Sequence, residues 1–171
     1  NSAKAHTVRA FQDGNFVFTH TKYNFFGPKI GFDIFRFENG KIVEHWDNLQ
    51  EILGPNPSKR SMTDGTTAIK DLDKTAQNKR LAKRFVTDIL VKGKMKKLAG
   101  YFNNGKYIQH NPYLGDGLAE MVDGLKTMKA QGIVLKYNKI HKVLGEGNFV
   151  LVVSEGYVGN KHTSFYDLFR V

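Results

Sequence analysis

The sequence predicts an α+β protein built on antiparallel sheet. Three observations carry that prediction. The first third alternates apolar and polar residues between turn signals, the middle holds apolar residues at helical spacing, and the last part repeats the strands of the first. In the first third, Val8 to Phe11 leads to Asp13-Gly14, then Phe16 to Tyr23, a Gly27-Pro28 turn, Ile30 to Phe37, Asn39-Gly40, and Ile42 to Leu49. Asn-Gly between two alternating runs is a strong hairpin signal, because both central residues of a type I′ turn need positive φ. This part is a meander with no helix of its own, so a one-sided sheet there lacks a cover within the chain.

Residues 54–73 are rich in Pro, Gly, Ser and Thr and read as a linker. Asp73 is placed to cap a helix over about Lys74 to Val91, with Lys92-Gly93 as a break before a shorter helix ending near Leu98. A strand around Tyr107 to His110, a third helix from about Leu118 to Gln131 and further strands from Val134 follow.

The 171 residues allow one ordinary domain or two small ones, and 40% hydrophobic with 25% charged residues is a globular composition. No apolar run approaches the roughly 20 residues of a membrane span, and NSAKAHTVRAF lacks the apolar core of a signal peptide, so a cytoplasmic protein with no membrane partner is expected. The absence of cysteine removes disulfides, thiolate metal sites and a cysteine nucleophile, and the six histidines form no HExxH or HxH arrangement. No metal or other cofactor is expected. Much of the +10 net charge lies between Lys74 and Lys97. There Leu81, Phe85 and Ile89 share a face and leave Lys79, Arg80, Lys83 and Arg84 opposite, as in a solvated helix face. With no aromatics interleaved among those charges, nucleic acid is not expected as a partner.

The stretch Ala10 to Phe37 matches Val143 to Val171: GNFV recurs at Gly14 and Gly147, Phe35-Arg36 as Phe169-Arg170, and Asp33 as Asp167. The expected organisation is therefore residues 1–53 as the C-terminal half of a first module, 54–73 as linker, and 74–171 as a second module lacking its last strand. Both ends read as cuts in a longer tandem protein, with completion of the second module by the strand bearing His45 and Asp47 as the alternative.

KYIQHNPYLGDG (Lys106 to Gly117), the GNFV hairpin, FDIFRF/YDLFRV and ENGKIVEHWD together resemble the SnoaL-like polyketide cyclase family within the nuclear-transport-factor-two-like superfamily. The resemblance covers nearly all the chain outside the linker. It implies a strongly curved antiparallel sheet forming a cone around helices, the nuclear-transport-factor-two-like or cystatin-like roll, with a pocket in the mouth of the cone.

Asp33 occupies the position at which the related steroid isomerases carry an aspartic acid in a DHFRF motif. There an apolar site keeps the acid protonated, so that it donates a hydrogen bond to a developing enolate oxygen. Asp167 is its equivalent in the second module. Apolar neighbours flank both, the setting in which desolvation raises a carboxyl pKa; the competing reading is a strand carboxylate that faces water or pairs with arginine. His110, in IQHNP, is the candidate acid or base of the second module, since imidazole titrates near neutrality. An aspartate at the place of Asp47 works in the pocket of the related limonene epoxide hydrolases. Tyr107, Asn111, Asp116 and Trp46 are candidate substrate contacts, with Asp116 equally a turn former.

Period-two alternation puts Val43, His45 and Asp47 on one face of their strand and Ile42, Glu44 and Trp46 on the other. A two-residue Asn39-Gly40 turn sets Asp33 opposite Trp46. Asp33 and the His45–Asp47 pair then point to opposite faces of the sheet unless a bulge intervenes. The expected chemistry is cofactor-free proton removal next to a carbonyl of a small apolar compound, followed by aldol-type ring closure or isomerisation. His110 or His45 moves the proton, and Asp33 or Asp167 holds the enolate. The alternative is a non-catalytic ligand-binding or dimerisation module, with Phe16, Phe18, Tyr23, Phe25 and Phe26 available for a homodimer surface.

Overall fold

The computed structural model describes residues 3–171 and is α+β, with two antiparallel sheets and a few helices. Residues 1 and 2 of the expected first module lie outside the described residues. The first sheet has the order β1-β2-β3-β4, from β1 (Lys4–Asp13), β2 (Phe16–Asn24), β3 (Pro28–Glu38) and β4 (Lys41–Glu51). Asn39 and Gly40 have φ of 50° and 72°, as the Asn-Gly hairpin requires. Next come α1 (Thr75–Phe85), a π-helical continuation (Val86–Val91), a 3₁₀ segment (Met95–Tyr101) and α2 (Gly117–Ala130). The second sheet follows as β5 (Leu135–Glu146), β6 (Phe149–Val158) and β7 (Lys161–Arg170), in that order. Neither sheet closes on itself.

Two apolar cores meet at β6. Its run FVLV, Phe149 to Val152, is buried on both faces, the pattern of a strand covered on each side. Val150 and Val152 pack on Ala82, Phe85, Val86, Ile89 and the α2 methionines. Phe149 and Leu151 point the other way and meet Phe11, Phe18 and Ile34 of the first sheet. The two sheets therefore stack face to face, and among the described residues no helix joins the apolar core of the first one. Phe16 and Phe18 belong to this inter-sheet core, Phe18 at 1% exposure, so they are not the free dimer surface expected of them; Phe26 is fully exposed. Across the seam β1 runs over β5 and β4 over β7, where Asn48 Nδ2 donates to Ser164 O at 3.0 Å. Among the described residues β4 pairs only with β3, so the strand bearing His45 and Asp47 does not join the second sheet there.

Three local expectations are corrected. Residues 107–110 form no strand, because their backbone donors go to side chains. Gln109 N donates to Asp116 Oδ1, and His110 N and Asn111 N both donate to Gln109 Oε1. Asp73 caps nothing; Thr75 Oγ1 closes that end by donating to Leu72 O, and it also accepts from Gly147 N of the β5–β6 turn. The β3–β4 ladder shifts between Arg36 and Phe37, so Val43 is an extra residue and Asp33 faces Asp47 instead of Trp46.

The stretch between β4 and α1 is irregular yet firmly docked. Asn56 Nδ2 donates to Gln109 O at 2.7 Å, Asp116 N to Ser58 Oγ at 2.8 Å, and Arg60 Nε pairs with Asp116 at 2.8 Å. The guanidinium of Arg9 donates to the carbonyls of Thr63, Asp64, Gly65 and Thr66. One strap thus ties β1 to the 107–117 segment.

Candidate functional site

The bulge at Val43 turns Asp33, His45 and Asp47 to one face of the first sheet, the face away from the inter-sheet core. His45 Nε2 lies 3.1 Å from Asp33 Oδ1, and its ring stacks on Phe35 with centroids 4.5 Å apart. Tyr23 Oη donates to the other carboxylate oxygen of Asp33 at 3.0 Å, and Thr19 Oγ1 approaches it at 3.4 Å. Asp33 is 4% exposed, whereas Asp47 is exposed. Burial and the Asp33 hydrogen bond raise the Tyr23 phenol pKa, so it stays a donor. Gly31 makes the Tyr23 contact possible: a Cβ there would overlap the tyrosine ring.

The second sheet builds a related pair from different strands. Tyr137 Oη, on β5, donates to Asp167 Oδ1, on β7, at 3.3 Å. Asp167 faces the helical core beside Val152, and its Oδ2 is shut off from solvent with no partner. Burial pushes the Asp167 carboxyl up to about 7, against the lowering effect of the Tyr137 hydrogen bond. Tyr107 stands in the same interior; burial and the nearby Asp167 charge push its phenol up to about 12, and Tyr137 is raised well above its ordinary value for the same reasons. Tyr137 stacks on Phe165 at 4.0 Å, and Gly156 leaves the backbone room that β5 needs there.

The other candidates lie apart from both pairs. His110 Nδ1 is 2.9 Å from Asp64 Oδ1 and 3.1 Å from Ser61 O, held by the strap and not turned toward Asp167. Asn111 accepts from Tyr113 N in a local turn, and Asp116 staples Gln109 and Arg60. Trp46 lies on the opposite face from His45, in the inter-sheet core beside Phe16, with Lys142 Nζ 5.1 Å from its ring. Sequence reasoning passed over Tyr23 as a partner for Asp33, and over Tyr137 altogether. The usable signal for Tyr23 was parity: it shares a strand face with Thr19, the residue opposite Asp33.

A buried cluster also escaped notice. Arg9 Nη1 donates to His20 Nδ1 at 3.0 Å, which leaves His20 Nε2 as the protonated nitrogen, enclosed and unpartnered. Burial, then the charges of Arg9, His110 and Lys22, push His20 down to about 3, so its ring is neutral. Among the described residues no group of three or more histidine or acidic side chains is gathered as a metal site needs, and no helix is long and apolar enough to cross a membrane. No family model matches the chain, and no curated protein matches it.

Proposed function

We propose that the chain is a SnoaL-like, cofactor-free acid/base protein acting on a small apolar carbonyl compound, by aldol-type cyclisation or isomerisation. The observation that supports this reading is the repeated tyrosine–aspartate pair, Tyr23–Asp33 at 3.0 Å and Tyr137–Asp167 at 3.3 Å, at matching aspartate positions of the two sheets. Environment separates the two carboxyls into two roles. Asp33 accepts from Tyr23 and sits against His45, so it serves to orient and polarise that imidazole as the proton acceptor. Asp167, pushed up to about 7 by burial, is enclosed among phenols in the helical core on the other side of both sheets from His45, so its role belongs to that interior and not to the same proton transfer. In the reaction, the proton leaves the carbon next to the carbonyl for His45, and the electron pair moves onto the carbonyl oxygen.

The test needs no knowledge of the natural substrate. Deuterium exchange at the carbon next to the carbonyl of 2-tetralone, followed by NMR in heavy water, should be accelerated by the protein. His45→Ala should slow it by about 100-fold or more, with far-UV circular dichroism unchanged. Equal exchange rates for the native protein and the variant would sink the catalytic assignment.

A second reading, a non-catalytic binding or dimerisation module, is favoured by the enclosure of Asp167 and by the face of the first sheet away from the inter-sheet core. A concentration-dependent sedimentation coefficient, together with no exchange activity, would decide for it.

A further inference from the structure

A concave surface lies away from both tyrosine–aspartate pairs, between α1 and β5. It is a hollow of about 390 Å³ lined by Lys79, Arg80 and Lys83 from the helix and by His141 and Lys142 from the strand. Two local devices assemble it. Lys79 and Lys83 are four residues apart and so lie on one face of α1. On β5 the ladder shifts between Ile140 and Lys142, making His141 an extra residue, and a bulge re-aims neighbouring side chains so that two successive ones line the same hollow.

The charge in this hollow is only partly neutralised. Lys79 pairs with Asp13, and His141 lies 3.1 Å from Glu155. Among the described residues, Arg80, Lys83 and Lys142 form no ion pair with any carboxylate. Lys142 is nevertheless held in place, its Nζ 4.2 Å from the ring centre of Phe16 and 5.1 Å from that of Trp46. Three uncompensated cations around a concavity repel one another and concentrate anions there. The volume suits a small molecule.

We propose that this hollow binds a compact polyanion of the phosphate or diphosphate ester class. Arg80 offers a planar fork to two phosphate oxygens, Lys83 and Lys142 act as point charges, and His141 adds a ring N–H.

The site has a built-in reporter, because Trp46 is the single tryptophan of the chain and lies beside Lys142. Inorganic pyrophosphate is titrated into the protein at about 20 mM salt, where screening is weak, and followed by calorimetry and by Trp46 fluorescence. The expected result is saturable binding that the triple variant Arg80→Gln, Lys83→Gln, Lys142→Gln weakens by about tenfold or more, given the Coulomb energy of three close contacts. Lys94→Gln, Lys96→Gln, Lys97→Gln removes the same charge from another part of the surface and should change affinity by less than about twofold. Equal weakening in the two triple variants means diffuse attraction and overturns the proposal, as does the absence of saturation. Short single-stranded RNA that displaces pyrophosphate and binds more tightly through the same residues replaces the small-ligand assignment with a nucleic-acid one.

Discussion

His45 on β4 reaches Asp33 on β3 at 3.1 Å only because the β3–β4 ladder carries one extra residue at Val43. The bulge puts an imidazole, a nearly buried carboxylate and, through Tyr23, a phenol on one face of a three-strand patch.

The Asp33 cluster should show a graded dependence on its members. Asp33→Ala removes the shared acceptor and strands two donors, at a cost of about 1–3 kcal/mol. Tyr23→Phe loses one hydrogen bond, about 1 kcal/mol. His45→Ala should cost less than about 1 kcal/mol, because the His45 side chain is 43% exposed and solvent screens the pair. Urea unfolding of the three variants checks the order, and a His45 variant that proves the most damaging contradicts it.

Asp167 should make the fold less stable as pH rises from 3.8 to about 7. Its carboxyl titrates near 7 in the folded chain against 3.8 in its ordinary state, so the folded chain holds a proton that the unfolded chain has released. Stability from this group is full below 3.8 and declines as pH rises through 7, by up to about 1.4 kcal/mol per unit. Asp167→Asn, always neutral, should match the native protein near pH 4 and exceed its stability near pH 8. Thermal midpoints at the two pH values read the difference; an equal offset at both would count against the assignment.

His20 acts in the opposite direction. Its folded pKa of about 3 lies below the ordinary 6.5, so only the unfolded chain takes up a proton between those values. Stability falls as pH drops below 6.5, again by up to about 1.4 kcal/mol per unit. His20→Gln keeps an acceptor for Arg9 and cannot be protonated, so its urea midpoint should fall less between pH about 7 and about 5 than the native midpoint does. The His20 and Asp167 effects partly cancel where their ranges overlap, which is why each needs its own variant.

The two glycines beneath the tyrosines should differ in cost. A Cβ at Gly156 would overlap the backbone carbonyl of Lys136, so Gly156→Ala must part β5 from β6, at about 2–4 kcal/mol. At Gly31 the obstacle is the movable Tyr23 ring, so Gly31→Ala should cost less and should swing the phenol off Asp33. A phenol proton signal that shifts in Gly31→Ala, beside unfolding curves for both variants, tests the pair.

Most of the strand framework was legible from the sequence, because alternation, Asn39-Gly40 and the two GNFV segments are local signals that the packing does not override. The helix over residues 75–91 was legible from Leu81, Phe85 and Ile89 for the same reason. The bulge at Val43 was not, since an extra residue in a ladder is selected by what packs on either face and leaves no mark in the alternation. The segment 107–110 misled because its apolar and polar alternation suits a strand, while Gln109 and Asp116 supply side-chain acceptors that claim the backbone first. Tyr137 and Asp167 stand 30 residues apart, and only the register of three strands brings them together.

β6 gives both of its faces to apolar cores, one shared with the helices and one with the other sheet. It is therefore the part both layers must lose together. Its amides should be the last to take up deuterium from solvent, and a wedge driven under this single strand would release the whole molecule at once, leaving no half-folded survivor.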